Sequence, residues 1–244
     1  MNLRVIERVV LNNIGMRYDE LSISTDAKEI LDFAMLHTCI YLAREEIKLN
    51  TRLPCLTMIG TGIVTAAGTS SYSLPADFDI PIAMYYWSIG NSSAILLNQI
   101  YMESLPINVP VSVPVAFGAA IFATGTPYGY IIAGTSADLI QMHIVDEPTV
   151  AGLILPIYKP VLTELTTFTD EDVLMRKYPK LVIDFATAFA WQILKKDPAQ
   201  HDKFYALALG KCREIELREK MADANFKEKP PLSIINARIK RLSR

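Results

Sequence analysis

Lysine and arginine are missing from Leu53 to Tyr158, close to half of this 244-residue chain. The only charges in that stretch are Asp77, Asp79, Glu103, Asp138, Asp146 and Glu147. A surface that grips a polyanion needs cations to displace its counterions, so this half of the chain is excluded as a nucleic-acid clamp. The whole chain has 24 Lys and Arg against 26 Asp and Glu, a formal net charge of −2, and offers no global attraction either. Cysteine is scarce. Cys39, Cys55 and Cys212 are odd in number and far apart, which excludes a disulfide framework and a CxxC metal site and points to a reducing compartment. Unbroken apolar runs are lacking too. The uncharged stretches Leu53 to Ala76, Ile80 to Met102 and Ser104 to Ala137 are long, but the first is broken by Pro54, Gly60, Gly62 and Gly68 and the third by Pro106, Pro110, Pro114 and Pro127. A spanning helix needs about 20 continuous apolar residues, so no membrane segment is expected. The N-terminus alternates charged with apolar residues and lacks a cleavable signal pattern.

Hydrophobic residues make up 51% of the chain and charged residues 20%, enough apolar material for a core. Three regions follow from the patterning. Leu3, Ile6, Val10 and Ile14 repeat at helical spacing, and Ile30, Phe33, Ala34, His37 and Tyr41 form one face of a second helix ending near Lys48, with Asp26 and Glu29 as a capping pair. From residue 51 the chain changes to short runs rich in Val, Ile, Thr and Tyr between Gly, Pro, Ser and Asn. Strands are expected at Leu56–Thr65, Ser71–Leu74, Ile82–Ser88, Val115–Ala123, Tyr128–Ile132, Leu139–Ile144 and Gly152–Lys159. Helices return with one opened by Asp170-Glu-Asp-Val-Leu-Met-Arg-Lys-Tyr, a buried one over Pro179–Lys196 and an amphipathic one over Asp197–Met221, started by Asp197-Pro198. In that last helix Phe204, Leu207, Ala208 and Ile215 share a side. The reading is an α+β chain. A helical bundle from residues 1–50 and 165–222 carries an inserted, mainly antiparallel β domain at 51–164, and an extended basic C-terminal tail spans 223–244.

No pattern demands catalysis. Gly60-Thr61-Gly62 lacks the Lys-Ser/Thr ending of a phosphate loop and reads as a strand turn. His37 sits on the apolar face of its helix, His143 alternates with apolar residues on a strand, and His201 reads as solvated beside Asp197 and Asp202. No His-x-x-x-His or Glu-x-x-His pair supports a metal site. Asp77-Phe78-Asp79 places two carboxylates on one side of a strand, suited to a divalent cation or acid–base work, although a turn after Pro75 is the simpler account. Trp87 and Trp191 read as core, and there is no Gly-x-Ser-x-Gly or Cys–His nucleophile. Neither metal nor cofactor is expected.

The order of elements resembles the head–tail adaptor (connector) proteins of tailed bacteriophages, a group that includes the related tail tubular proteins. Thr69-Ser-Ser-Tyr-Ser-Leu-Pro-Ala-Asp-Phe-Asp is similar to that family's Y-x-L-P-x-D-F strand, and Pro127-Tyr-Gly-Tyr-Ile-Ile-Ala-Gly to its Y-x-I-x-G strand. Leu153-Ile-Leu-Pro-Ile-Tyr-Lys-Pro, followed by Leu165 and Thr169-Asp170, resembles its L-x-Y-Y-x-x-P-x-x-L-T-D strand and turn. Lys177-Tyr-Pro-Lys-Leu-Val-Ile-Asp-Phe-Ala resembles its K-Y-P-x-L-L-x-x-G-A helix start. Asn91–Phe117 is longer and more apolar than that pattern, and nothing in it matches the chain after Phe226.

The resemblance implies a structural virion protein rather than an enzyme. It would form a homo-oligomeric ring, commonly a dodecamer, between portal and tail in the neck, assembled in the host cytoplasm. Its partners would be the portal protein, a tail or tail-tube protein, further copies of itself, and genomic DNA passing through the channel without sequence-specific binding. A channel wall free of Lys and Arg would not trap phosphates, and Asp79, Glu103, Asp138 and Asp146 are the candidates to line it. Pro230-Pro231 stops the last helix. Beyond it Leu232, Ile234, Ile235 and Ile239 are interspersed with charged and polar residues, too few apolar groups to fold alone. Ile234, Ile235 and Ile239 are expected to fill apolar pockets on the portal while Arg238, Lys240, Arg241 and Arg244 pair with its carboxylates. The alternatives are another tail or baseplate completion protein, and an enzyme with an acidic site near Asp77 and Asp79.

Overall fold

The computed structural model describes residues 1–17, 27–90, 93–101, 124–134 and 140–225. The fold is mixed α+β and divides into two compact units. One is drawn from the described residues of Met1–Pro54 and from Glu164 onward, the other from Cys55–Thr163.

The first unit is helical. Helix α1 (Leu3–Asn13) starts where Asn2 caps it, its side chain accepting from the Val5 N–H at 3.2 Å. It stops at Gly15 (φ +72°), where Gly15 N–H reaches Asn12 O and Met16 N–H reaches Leu11 O, the paired bonds of a glycine-terminated helix. Its buried stripe is Leu3, Ile6, Val10 and Leu11. Helix α2 (Ala27–Asn50) buries Leu36, Cys39, Ile40, Ala43 and Ile47. The face expected from sequence is not the buried one: Ile30 and Tyr41 are about half exposed. Apolar residues recur at helical spacing on both sides of α2, so periodicity alone did not choose between them. The expected Asp26 cap lies outside the described residues.

A short helix α3 (Val173–Lys177) follows, capped by Asp172, whose Oδ1 accepts from Met175 N–H at 2.7 Å. The segment beginning at Asp170 opens a helix as expected, with Asp172 as its cap, while Asp170 closes the loop before it. Its Oδ2 accepts the N–H groups of Thr166 and Thr167 at 2.7 and 2.8 Å, and its Oδ1 accepts the Thr167 hydroxyl. The backbone of that loop then satisfies two orphan donors of α1, Leu3 N–H to Asp170 O and Arg4 N–H to Phe168 O. Helix α4 (Pro179–Ile193) is apolar nearly all round. Leu181, Val182, Ile183, Phe185, Ala186, Thr187, Ala188 and Ala190 are buried, and the helix packs against α1, α2 and the last helix, α5 (Pro198–Asn225). Asp197 caps α5 as expected, accepting from Gln200 N–H at 3.1 Å. Its inward side runs through Tyr205, Ala208 and Cys212 rather than Leu207, which is 55% exposed. Burial pushes the thiols of Cys39 and Cys212 up to about 12. None of the five helices among the described residues is long and apolar enough to cross a membrane.

The second unit is a β-sheet with strands β1 (Met58–Ile59), β2 (Ile63–Thr65), β3 (Ser71–Ser73), β4 (Phe78–Ser88), β5 (Ile95–Gln99), β7 (Gly129–Gly134), β8 (Ile140–Val145) and β10 (Gly152–Pro160). The order is β1-β10-β4-β5-β7-β8-β3, with β2 also on β10. Two short strands, β6 (Thr124–Gly125) and β9 (Glu147–Pro148), pair separately. Pairing is antiparallel except for β5–β7 and β6–β9. Strand β5 was not expected from sequence, because Asn98 and Gln99 interrupt its apolar run, and Val115–Ala123 lies outside the described residues. The core joins Tyr72, Phe78, Met84, Tyr86, Leu97, Tyr130, Met142, Ile144, Ile154 and Tyr158. Buried tyrosines need partners for their hydroxyls. Tyr72 donates to Thr69 O at 2.7 Å, Tyr86 to Val150 O at 3.0 Å and Tyr158 to Asp77 Oδ1 at 2.7 Å, so each ring both fills the core and pins a turn. Gly152 admits the close approach of β4, since a Cβ there would lie 2.2 Å from Trp87 O.

Two outcomes follow for the helical unit. Arg44 is 1% exposed, and its Nε donates to Asp172 Oδ2 at 2.5 Å. Removing one partner of a buried ion pair costs about 3–5 kcal/mol. Arg44→Ala is expected to lose that much in urea unfolding followed by far-UV circular dichroism, and the double variant Arg44→Met/Asp172→Ser, which retains a capping oxygen, should recover part of it. Hydrogen bonds from the Thr167 hydroxyl and then from the Thr167 and Thr166 N–H groups hold the Asp170 carboxyl down at about 2. Because the folded state favours the carboxylate, its contribution is complete above the unfolded value of about 3.9 and disappears as pH falls toward 2. Asp170→Asn should flatten the stability–pH curve in that window, and a carboxyl titration of the native chain should place the Asp170 midpoint there.

Candidate interaction surfaces

Of the acidic residues expected to line a channel, Asp79 and Asp146 are among the described residues. Asp79 is exposed on β4. Asp146 sits between β8 and β9 with φ +64°, a left-handed position that Asp tolerates, and is partly buried beside Gly125. Glu103 and Asp138 lie outside the described residues, as do Ile234, Ile235, Arg238, Ile239, Lys240, Arg241 and Arg244 of the tail.

Asp77 and Asp79 are separated by what their neighbours need. Phe78 N–H bonds Pro75 O at 3.0 Å, so Asp77 belongs to a turn, and the Phe78 ring between the two carboxylates is buried. Asp77 accepts from Tyr158, whose own ionisation is pushed up to about 12 by burial first and by that carboxylate second. Asp77 is thereby committed to holding a core tyrosine, which is structural work. No group of three or more His, Cys, Asp or Glu among the described residues is arranged to hold a metal.

The histidines are spread over separate sites. His37 Nε2 lies 2.6 Å from Oε1 of Glu7, a carboxylate with no exposed surface. His143 is buried on β8, and burial pushes its pKa below the ordinary value, which keeps it neutral at pH 7. His201 is not solvated as expected: it stacks on Tyr205 with centroids 5.4 Å apart and keeps one ring nitrogen 3.0 Å from Asp202. Trp191 stacks on Phe204 at the half-buried edge of α4 rather than in the core.

Two apolar surfaces stand out instead. In the helical unit a cleft of about 330 Å³ is lined by Leu3, His37, Thr38, Ile40, Tyr41, Arg44, Glu164 and Leu165. Its walls suit an apolar side chain, since the Arg44 guanidinium is already bound to Asp172. In the β unit the sheet face opposite the core is apolar as well. The register aligns Val64, Leu153 and Trp87 in one rank, Leu155, Tyr85 and Leu96 in a second, and Ile59, Ile157 and Ala83 in a third. Trp87 thus belongs to this face and not to the core. Val64 is 75% and Leu96 52% exposed. The sequence signal was present in Leu153-Ile-Leu-Pro-Ile-Tyr, which is apolar at every position where a one-sided strand would alternate.

Among the described residues, a largely apolar cleft and an apolar sheet face stand out rather than a clustered reactive site, the make-up of an interaction protein. No curated protein matches it. The pattern of the SU10 adaptor protein family, by contrast, runs over residues 16–226, from the end of α1 to the end of α5. On that coverage, both compact units included, the chain belongs to the SU10 adaptor protein family.

Proposed function

We propose that this chain is a structural adaptor of the tailed-bacteriophage virion, one subunit of a ring in the neck between portal and tail, with a central channel for the genome. The observation that carries the reading is the family match over residues 16–226. The charge pattern supports it: a β unit without cations from Leu53 to Tyr158 offers DNA phosphates nothing to hold, which suits a conduit. In this reading the helical unit and the tail meet the portal, and the β unit meets the tail and lines the channel. The subunit is assembled into the neck in the host cytoplasm, and commonly such rings count twelve.

The tail beyond α5 carries Lys227, Lys229, Arg238, Lys240, Arg241 and Arg244 against Glu228 alone. Ile234, Ile235 and Ile239 supply apolar anchors, and the Arg and Lys residues pair with portal carboxylates. Deleting residues 226–244 is expected to leave filled heads without tails and to abolish copurification with the portal ring. Normal head–tail joining by the truncated chain would sink the docking role, and copurification with a baseplate instead of a portal would move the protein elsewhere in the virion.

The channel assignment of Asp79, Glu103, Asp138 and Asp146 has its own readout. Asp138→Lys and Asp146→Lys each add a phosphate partner to the wall, so genome ejection should slow in a salt-dependent way, and Asp146→Asn, which suits the same left-handed backbone, separates the charge effect at that position from backbone strain. Unchanged ejection with Lys at every one of the acidic sites would remove these residues from the channel.

A further inference from the structure

We propose that the C-terminal tail folds back onto the helical unit of its own chain and places Ile235 and Ile239 in the cleft between α1, α2 and the loop before α3. The contact deepens the adaptor reading, and rests on it only for the partner that later draws the tail out.

The cleft suits an apolar segment that carries positive charge. Leu3 and Ile40, each 1% exposed, line it together with the more exposed Tyr41 and Leu165. Two of the polar groups around it are already engaged, Arg44 with Asp172 and His37 with Glu7. Glu164 is exposed at the cleft and has no hydrogen bond or ion pair among the described residues. Three longer stretches lie outside the described residues, 18–26, 102–123 and 226–244. The first carries Asp19, Glu20 and Asp26 and the second Glu103, and neither has a Lys or Arg. Only the third is basic, with Arg238, Lys240, Arg241 and Arg244 around Ile239. Its charge complements Glu164, whereas the other two would meet that carboxylate with their own.

The tail also leaves the helical unit at the right end. Arg44 of the cleft holds Asp172, α3 leads from there to Tyr178, and Tyr178 donates to Glu219 in the last turns of α5 at 2.8 Å. Arg52, just past the end of α2, bonds Glu216 of α5 through its N–H. The starts of α1 and α4 and the ends of α2 and α5 thus lie together. Beyond Glu219 the rest of α5 adds about 9 Å and α3 about 8 Å, and with the two side-chain bridges the path from Asn225 to the cleft is at most about 40 Å along its corners and shorter across them. An extended chain gains about 3.3 Å per residue, so Ile235 reaches about 33 Å from Asn225 and Ile239 about 46 Å.

Tethering selects the tail of the same chain over that of a neighbour. A short flexible tether holds its end at an effective concentration in the millimolar range, so the cleft meets its own tail first. The isoleucines then leave water for the cleft. They are the same anchors that the proposed portal contact uses, so the two contacts exclude each other. A subunit away from its site keeps its apolar anchors covered.

The test replaces Tyr41, 46% exposed at the cleft, with a photo-crosslinking phenylalanine derivative in the purified full chain. Irradiation is expected to join the α2 peptide to a peptide from residues 226–244 in a product of single-chain mass. When isotopically labelled and unlabelled copies are mixed, each joined pair should carry one label only. Ile235→Asp with Ile239→Asp should lower the yield about tenfold by putting charge where the cleft takes apolar groups, and Glu164→Arg should lower it by turning attraction into repulsion. The same probe at Leu207, 55% exposed and outside the cleft, should give no tail product. A joined pair carrying both labels, a product with any segment other than the tail, equal yields from positions 41 and 207, or no product overturns the proposal. Adding the portal ring reads the adaptor role separately. A single-chain product that persists undiminished beside the ring would sink the portal contact and leave the cleft contact standing. A chain that gives no such product alone but binds the ring through its tail would do the reverse.

Discussion

Helix α4 has almost no side that water can wet, and the helical unit is built around that constraint. Eight of its side chains are buried around its circumference, so it is stable only when enclosed. A fully buried aliphatic or aromatic side chain contributes about 1.5–3 kcal/mol relative to leaving it in water. The enclosing helices come from both ends of the sequence: α1 and α2 precede the β unit, and α5 follows it. The same demand explains the buried polar links at the periphery. Asn13 donates to Thr187 of α4 at 3.1 Å, Arg44 of α2 fixes the capping Asp172, and Tyr178 at the start of α4 donates to Glu219 of α5 at 2.8 Å. These bonds set the register of helices whose apolar contacts alone would tolerate sliding.

The β unit meets its own constraint differently. Its core is tyrosine-rich, and every one of Tyr72, Tyr86 and Tyr158 spends its hydroxyl on a turn. The strands therefore arrive with their connecting turns already attached, which suits a sheet whose register shifts twice along β4 and β10, between Ile157 and Tyr158 and between Lys159 and Pro160. The first shift leaves Ile82 of β4 without a direct partner and 46% exposed, while Tyr158 still reaches the core. An unbroken alternation would have sent one of the two outward.

How much could be read from sequence depended on whether one signal stood alone. Helix α1 has a single apolar stripe and a glycine stop, and it was legible to within a residue. The Asp197-Pro198 start of α5 was equally plain. Helix α2 was legible as a helix but not in orientation, since Ile30, Phe33 and Tyr41 compete with Leu36, Ile40 and Ile47. Only the position of α4 breaks that tie. The segment from Asp170 was legible as a helix start but not which of its acids caps it, because an Asp before a helix and an Asp closing a Thr-rich loop look alike until the N–H groups of Thr166 and Thr167 are seen pointing at Asp170. The candidate surfaces were the least legible. A sheet that is apolar on two faces gives the same string of letters as one buried between two layers, and sequence does not say what lies on the second side. The adaptor family could be suspected from the Tyr-Ser-Leu-Pro-Ala-Asp-Phe and Lys-Tyr-Pro segments because both sit at sharp structural junctions, a tyrosine-pinned turn and the Pro-initiated start of α4.

The thiols carry a practical consequence. Cys39 and Cys212 face the interior from α2 and α5, protonated and sheltered at any ordinary pH, so alkylating reagents pass them by. Cys55 is the partly accessible one, and it is the first residue of the β unit, in the 3₁₀ turn (Pro54–Leu56) that follows the helical segment. The native chain thus comes with one partly accessible thiol, in the turn where the sequence passes from the helical unit to the β unit. A spin label or fluorophore placed there reports on that turn without any engineering of the sequence.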